Sequence, residues 1–295
     1  MSFLVTGARG KVGRSVVRQL HAAGHTVRAA SAGPAELTVP DGVEAVELVL
    51  DRPDTFAAAL DGVRQVFLYP NPAGIDALVK AAEAAGVEHV VLLSTSAVLA
   101  PDAATHPIAS HSFLVEAALT DSRLAATFLR PDAFASNTLG MADAIRNGHP
   151  IALAHPDAHL APIHPEDIAD LAVDALTGDA LTGGSLTGGS LTGDSLTGRA
   201  VVLTGPESLS FREQYATVAE ETGREITIDR VTRAEAEAQM GRFMPARLVG
   251  ALLDLWAAAE AHGRAEIHDT TASLLGRPAR TYRQWVRENA GEFRG

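Results

Sequence analysis

Three glycines, Gly7, Gly10 and Gly13, stand three residues apart in VTGARGKVGRSVV, residues 5–17. Glycine permits a tight turn and lets a pyrophosphate come close to the backbone. The apolar run before them, FLVT at 3–6, reads as a buried strand. Val12, Val16 or Val17, and Leu20 follow at helical spacing, and Gly24 stands where that helix stops. The glycines therefore sit at a strand-to-helix corner, where free amides and the helix dipole favour an anion. The chemistry this predicts is dinucleotide binding by Gly7, Arg9, Gly10, Lys11, Val12 and Gly13.

Further candidates lie where other strands end, because a parallel sheet binds ligands beyond its carboxyl ends. One strand ends in Tyr69-Pro70-Asn71-Pro72, the next in Ser94-Thr95-Ser96, and a third in Arg130-Pro131 followed by Phe134 and Asn137. Ser31, Tyr69, Pro70 and Thr95 join the cofactor set. Ser96, Phe134, Asn137 and His164 are candidates for the substrate side, and Asn71, Ser94 and His111 for catalysis. A histidine titrates near neutral pH and can donate a proton or bind a substrate oxygen. His164, before Pro165, also stands at a helix N-cap. The usual dehydrogenase donor, a Tyr with a Lys four residues on, is absent: Tyr69, Tyr215 and Tyr282 are followed by Ala73, Ala219 and Val286. His106, His111, His155, His159 and His164 show no ligand spacing with a nearby acid, so no metal is expected; no flavin is expected either.

The elements that must position these residues alternate. Strands are expected at 3–6, 26–30, 43–49, 65–69, 88–94 and 125–130. Helices are expected at 11–23, from Asp51 and Pro53 to Leu60, at 74–85 and at 107–121. This is a run of βαβ units on a parallel sheet, the Rossmann pattern. The second half carries a helix at 165–176, a strand at 199–204, and helices near 210–222, 232–240, 245–261, 268–275 and 281–290. The fold class read here is α/β: a doubly wound parallel sheet over 1–150, then a smaller, mostly helical lobe over 151–295. The segment 161–204 packs back on the sheet in this reading. Within it, LTG recurs every five residues over 176–198, which reads as a surface loop without chemistry.

Bulk composition narrows the partners. Acidic residues outnumber basic ones by 12, which suits neither nucleic acid nor an anionic membrane. No apolar run is long enough to span a bilayer, the start lacks a signal-peptide layout, and there are no cysteines. A cytoplasmic protein with a small-molecule substrate is expected, with homo-oligomerisation left open.

The chain resembles the NmrA-like family of atypical short-chain dehydrogenases/reductases. The resemblance is carried by VTGARGKVG at the start, DGVRQVFLYPNP at 61–72, IDALVKAAEAAGVEHVVLLSTSAV at 75–98 and VEAALTDSRLAATFLRPDAFASN at 115–137. It continues through IHPEDIADLAVDALTG at 163–178, LTGPESLSFREQYATVAEETGREI at 203–226 and RTYRQWVRENAGEF near the end. It implies the fold, a dinucleotide, and a His followed by a Glu after the fifth strand, matched by His111 and Glu116. Its members include NAD(P)H-dependent quinone or azo reductases and regulators that bind the dinucleotide without turnover. Two positions depart from the pattern: Ala32 stands where relatives place an Arg for the 2′-phosphate, and Val49 where many place an Asp. No acid follows the second strand to hold a ribose diol, while Arg9 and Arg28 could face a phosphate, so NADPH is favoured over NADH. The function expected is an NAD(P)H-dependent reductase of quinone-like or conjugated carbonyl acceptors. A non-catalytic dinucleotide sensor and a non-redox isomerase or lyase are the alternatives.

Overall fold

The computed structural model describes residues 2–178 and 196–294. The strands β1 (Ser2–Val5), β2 (Thr26–Ser31), β3 (Glu44–Glu47), β4 (Val63–Leu68), β5 (His89–Leu93) and β6 (Ala125–Pro131) alternate with the helices α1 (Lys11–Ala22), α2 (Phe56–Leu60), α3 (Ile75–Ala85) and α4 (Ser110–Thr120). After β6 come β7 (Ala133–Phe134), α5 (Ala142–Arg146), β8 (Ile151–Leu153), β9 (His159–Leu160), β10 (Pro162–Ile163), α6 (Pro165–Thr177) and β11 (Ala200–Leu203). Then follow β12 (Leu209–Ser210), α7 (Phe211–Thr222), β13 (Ile228–Arg230), α8 (Arg233–Met240), α9 (Ala246–His262), α10 (Thr270–Leu275), α11 (Tyr282–Glu288) and α12 (Gly291–Arg294).

Seven strands form one sheet in the order β11-β6-β5-β4-β1-β2-β3, and every pairing in it is parallel. The order reverses between β1 and β4, the switch point at which such sheets open a crevice. Alternation along the strands feeds two cores. Phe3 and Val5 face Val12, Val16, Ile168 and Leu171 on the α1–α6 side. Leu4, Val66 and Leu68 face Phe56, Leu60, Leu78 and Val115 on the side of α2, α3 and α4. A strand buried on both faces needs an unbroken apolar run, and VVLL at 90–93 supplies one.

Some bounds differ from the sequence reading. The third strand is only Glu44–Glu47, and α2 is entered through a 3₁₀ turn at Pro53–Thr55. The fourth helix begins at Ser110 rather than 107, after a turn in which the Ala109 and Ser110 amides both donate to the His106 carbonyl. Of three short pairs, β7 with β10 ties the two halves of the chain together, while β9 with β12 and β8 with β13 lie within the second. Two or three residues are too few for a period-2 signal to show. The expected LTG loop lies largely outside the described residues, although Leu196 at its far end is buried against the α1–α6 core.

One polar line crosses the sheet interior. His89 at the start of β5 bonds Gln65 of β4 at 3.1 Å through Nδ1 and Thr127 of β6 at 2.9 Å through Nε2. Thr127 in turn donates to the Leu196 carbonyl. Burial pushes the His89 pKa down from 6.5 to about 4, so the ring is neutral in the folded protein. The unfolded chain then binds more protons than the native one between these two values, and stability falls as pH drops through that window. The full effect below both values is about 3 kcal/mol. His89→Leu is expected to lower stability at pH 7 by leaving the Gln65 side-chain oxygen without its partner and Thr127 with the Leu196 carbonyl alone. The same variant should also lose His89's share of the fall between pH 6.5 and 4, as read by denaturant unfolding at both ends.

Candidate active site

The glycine corner is built by close approach. A Cβ on Gly13 would lie 2.4 Å from the Gly7 carbonyl oxygen, so the first turn of α1 rests directly on the loop backbone. Gly7 has φ +63°, and a Cβ there would lie 2.8 Å from Cβ of Tyr69. Gly10 is different: its φ is −73°, and its Cβ would stand 3.2 Å from the Gly7 oxygen. Gly10 caps α1 without a side-chain bond, and no acid stands in the first turn. The amides at this end thus face the crevice without a resident carboxylate, the donor set an anionic pyrophosphate requires. The residues present fit a dinucleotide on both counts, space and donors.

The opposite wall is the end of β4. The Tyr69 amide donates to Thr6 Oγ1 at 2.7 Å, which holds β1 and β4 together at the switch point. Tyr69 is 55% exposed over the glycine corner, and Pro70 follows it. Asn71 is exposed; its side-chain oxygen accepts from the Ala73 amide at 3.0 Å, leaving the carboxamide NH2 as its available donor. Thr95 accepts from Ala97 N at 3.3 Å and caps the 3₁₀ turn Ser96–Leu99. Ser96 donates to Asp132 at 2.9 Å, joining the ends of β5 and β6. Phe134 is half-buried against the core, Asn137 is exposed on the 3₁₀ turn Ala135–Met141, and His111 is exposed on the first turn of α4. Lys11 stands 4.0 Å from Glu292 of α12, which brings the C-terminal end of the chain to the corner.

Three expectations are corrected by the geometry. Ser94 is buried and its hydroxyl donates to Glu116 at 2.5 Å, so it has no proton free for a substrate. His164 does cap α6, accepting from Glu166 N at 3.1 Å, but its ring is 2% exposed and its Nε2 faces Glu288 at 3.0 Å. Burial pulls its pKa down, against the opposing pull of Glu288 and Asp167. It is a structural histidine rather than a pocket edge. Arg28 turns away from any phosphate: it bonds Glu44 at 2.8 Å and the Asp61 carbonyl.

Sequence reasoning missed the pairings. Glu116 accepts from Arg130 at 2.9 and 2.5 Å as well as from Ser94, forming a shielded cluster that clamps α4 to the ends of β5 and β6. The signal was present as an Arg interrupting an otherwise apolar strand, since a charge there demands a partner. Arg9 bonds Glu36 at 2.6 Å and the Gly33 carbonyl at 3.0 Å, a contact that spans 27 residues and leaves no local pattern.

Comparison with known proteins agrees with this geometry. A profile described as NAD(P)H-binding matches residues 7–179. The chain belongs to this NAD(P)H-binding family. It is 36% identical over 294 residues to a (4-alkanoyl-5-oxo-2,5-dihydrofuran-3-yl)methyl phosphate reductase of Streptomyces griseus, covering 98% of each chain. It is 32% identical over 300 residues to an NAD(P)H azoreductase of Xenophilus azovorans, again covering 98% of both. In fold it resembles an Escherichia coli NADPH-dependent quinone oxidoreductase solved with NADPH, with TM-score 0.75, 22% identity, and 98% and 99% of the two chains covered. Among the described residues, no helix is long and apolar enough to cross a membrane.

Two variants separate the roles of the glycines. Gly10→Ala is expected to weaken dinucleotide binding about tenfold or more with only a small fall in melting temperature, because its Cβ would meet one backbone oxygen, that of Gly7 at 3.2 Å, and otherwise stand in the ligand's space. Gly13→Ala should lose both, since the new methyl meets backbone. Calorimetric binding beside thermal unfolding reads the difference. At the clamp, Glu116→Gln should cost about 3 kcal/mol in denaturant unfolding, the typical result of stranding one member of a shielded ion pair.

Proposed function

We propose that the protein is an NAD(P)H-dependent reductase of conjugated, electron-poor acceptors, with NADPH as the preferred dinucleotide. The observation that carries this is the open glycine corner together with whole-length relatedness to two reductases. The names of those two relatives point to acceptors of one kind, a ring alkene beside carbonyl groups and an azo bond. Both are flat π-systems that accept a hydride without a strong acid. NADPH is favoured because Ala30, Ser31 and Ala32 at the end of β2 offer no acid to a ribose diol, while Arg9 reaches the same corner.

In this reading residues 1–150 bind the dinucleotide and 151–295 close the substrate side. Gly7, Gly10, Gly13 and the amides of Lys11 and Val12 hold the pyrophosphate. Ser31 and Arg9 hold the adenosine end; Tyr69, Pro70 and Thr95 line the nicotinamide end. A reduced nicotinamide, when bound, supplies the hydride. Asn71 donates its carboxamide NH2 to an acceptor oxygen, and Phe134 and Asn137 orient the ring by contact and hydrogen bonding. His111 supplies the proton where the acceptor needs one. Ser96 positions Asp132, and Ser94 fixes Glu116 and Arg130 behind this wall. A negatively charged, cysteine-free chain that consumes NAD(P)H fits the cytoplasm and a small-molecule substrate.

The test follows NADPH absorbance with a panel of quinones, azo dyes and unsaturated lactones. Consumption is expected with at least one class, and Asn71→Ala should lower kcat/KM about tenfold, the loss of one hydrogen bond in the transition state. His111→Ala should slow lactone reduction more than quinone reduction, because quinol oxygens are weak bases that water can protonate. Tight NADPH binding without turnover on any acceptor would instead make the protein a dinucleotide sensor.

A further inference from the structure

The corner beyond β2 holds both of the charges that dinucleotide sites normally choose between, and holds them on each other. An acid there accepts from the ribose hydroxyls of NADH, and an Arg there receives the 2′-phosphate of NADPH. Here Arg9 comes from the glycine loop and Glu36 from the 3₁₀ turn Pro34–Glu36. Their side chains meet at 2.6 Å. The same Arg9 nitrogen also donates to the Gly33 carbonyl at 3.0 Å. Gly33 in turn donates its amide to the Ser31 hydroxyl at 3.1 Å, so one small network joins the glycine loop to the end of β2.

The backbone makes room for this pair. A Cβ on Gly33 would lie 2.9 Å from Arg9 Nη2 and 3.4 Å from the Glu36 carboxylate carbon. Both partners are reachable from water: Arg9 is 52% and Glu36 72% exposed in the side chain. An exposed ion pair is weak and exchanges readily. A dianionic phosphate is a stronger partner for a guanidinium than a single carboxylate.

We propose that the Arg9–Glu36 pair is the cofactor selector of this protein: Arg9 is the receptor for the 2′-phosphate, and Glu36 is an internal anion that the phosphate displaces. Glu36 occupies Arg9 while that phosphate is absent and reduces NADPH affinity by the strength of one surface ion pair. It leaves NADH affinity untouched, because NADH carries nothing that competes for Arg9. This rests on the dinucleotide reading of the glycine corner.

The experiment measures dissociation constants for NADPH, NADH, 2′,5′-ADP and 5′-ADP by calorimetry, on the full chain and on Glu36→Gln, Arg9→Gln and the double variant. Glu36→Gln is expected to tighten NADPH and 2′,5′-ADP about two- to fivefold. NADH and 5′-ADP should change by less than about twofold. Arg9→Gln should weaken the two 2′-phosphorylated ligands about tenfold or more. In that background Glu36→Gln should have no effect, the mark of two residues acting through one contact. Equal shifts for NADPH and NADH in Glu36→Gln, or loosened NADH binding, would overturn the proposal and make Glu36 a ribose ligand. Unchanged constants in both single variants would overturn it as well while leaving the dinucleotide reading intact. Failure of the unsubstituted chain to bind any of the four would overturn both.

Discussion

The backbone at Gly7 is crowded from two sides, and the rest of the crevice takes its dimensions from that crowding. From the helix side, Gly13 presses on the Gly7 carbonyl; from the β4 side, Tyr69 presses on the Gly7 α-carbon. The left-handed φ at Gly7 sets the direction in which the chain leaves β1, and the hydrogen bond from Tyr69 to Thr6 fixes β4 against it. The crevice therefore has a floor of bare backbone with Tyr69 beside it. A side chain at Gly13 would push α1 off the loop, and one at Gly7 would push Tyr69 away, so the uncapped amides would lose their setting.

A second set of contacts holds the later half of the chain to this frame, and it is electrostatic where the first is steric. α6 lies beside α1 and carries Glu166, Asp167 and Asp170. Glu166 accepts from Ser15, Arg18 and Gln19 of α1 at 2.7, 2.6 and 3.2 Å. Asp167 has no exposed surface and accepts from Arg277, Arg280 and the Arg280 amide at 2.8, 2.5 and 2.7 Å. A buried carboxylate is tolerated when both oxygens are hydrogen-bonded to charged or backbone donors in this way. The segment PEDIAD is thus a two-faced strap: one face grips the first helix, the other grips the chain leading to α11. His164, at its head, reaches Glu288 in that same helix.

This division explains what could be read in advance. The parallel sheet, its helices and the glycine corner were legible because each leaves a local mark: an apolar run, a helical period, a spaced set of glycines. The ends of β4 and β5 were legible too, so Tyr69, Asn71 and Thr95 could be placed just beyond the sheet from the strand pattern alone. What could not be read was which polar side chains were already engaged. Ser94 and Ser96 look alike in STS, yet one is buried under Glu116 and the other reaches Asp132. His164 and His111 look alike as histidines near helix starts, yet one is sealed and the other open. Arg9 and Arg28 look alike as cations near β2, yet only Arg9 stands in the corner. Such distinctions depend on partners 20 or more residues away, which no local period encodes.

The engagement of the tyrosines bears on which acceptors such a site can serve. Sequence spacing removes the Tyr/Lys donor pair, but not a lone tyrosine acting by itself. The structure removes two of the three candidates. Tyr215 is packed in the core of the later half, and Tyr282 is sealed against Thr138 at 2.8 Å; burial pushes both phenols well above their ordinary value. Tyr69 alone is exposed, and it lies over the glycine corner. A simple ketone needs an acid in step with hydride arrival, because an alkoxide in an apolar crevice is costly. A conjugated acceptor does not: its charge spreads over the π-system and onto oxygens that water can hydrogen-bond. The one exposed tyrosine has no Lys four residues on, so the corner lacks the donor pair an isolated carbonyl needs, and a delocalised acceptor depends less on it.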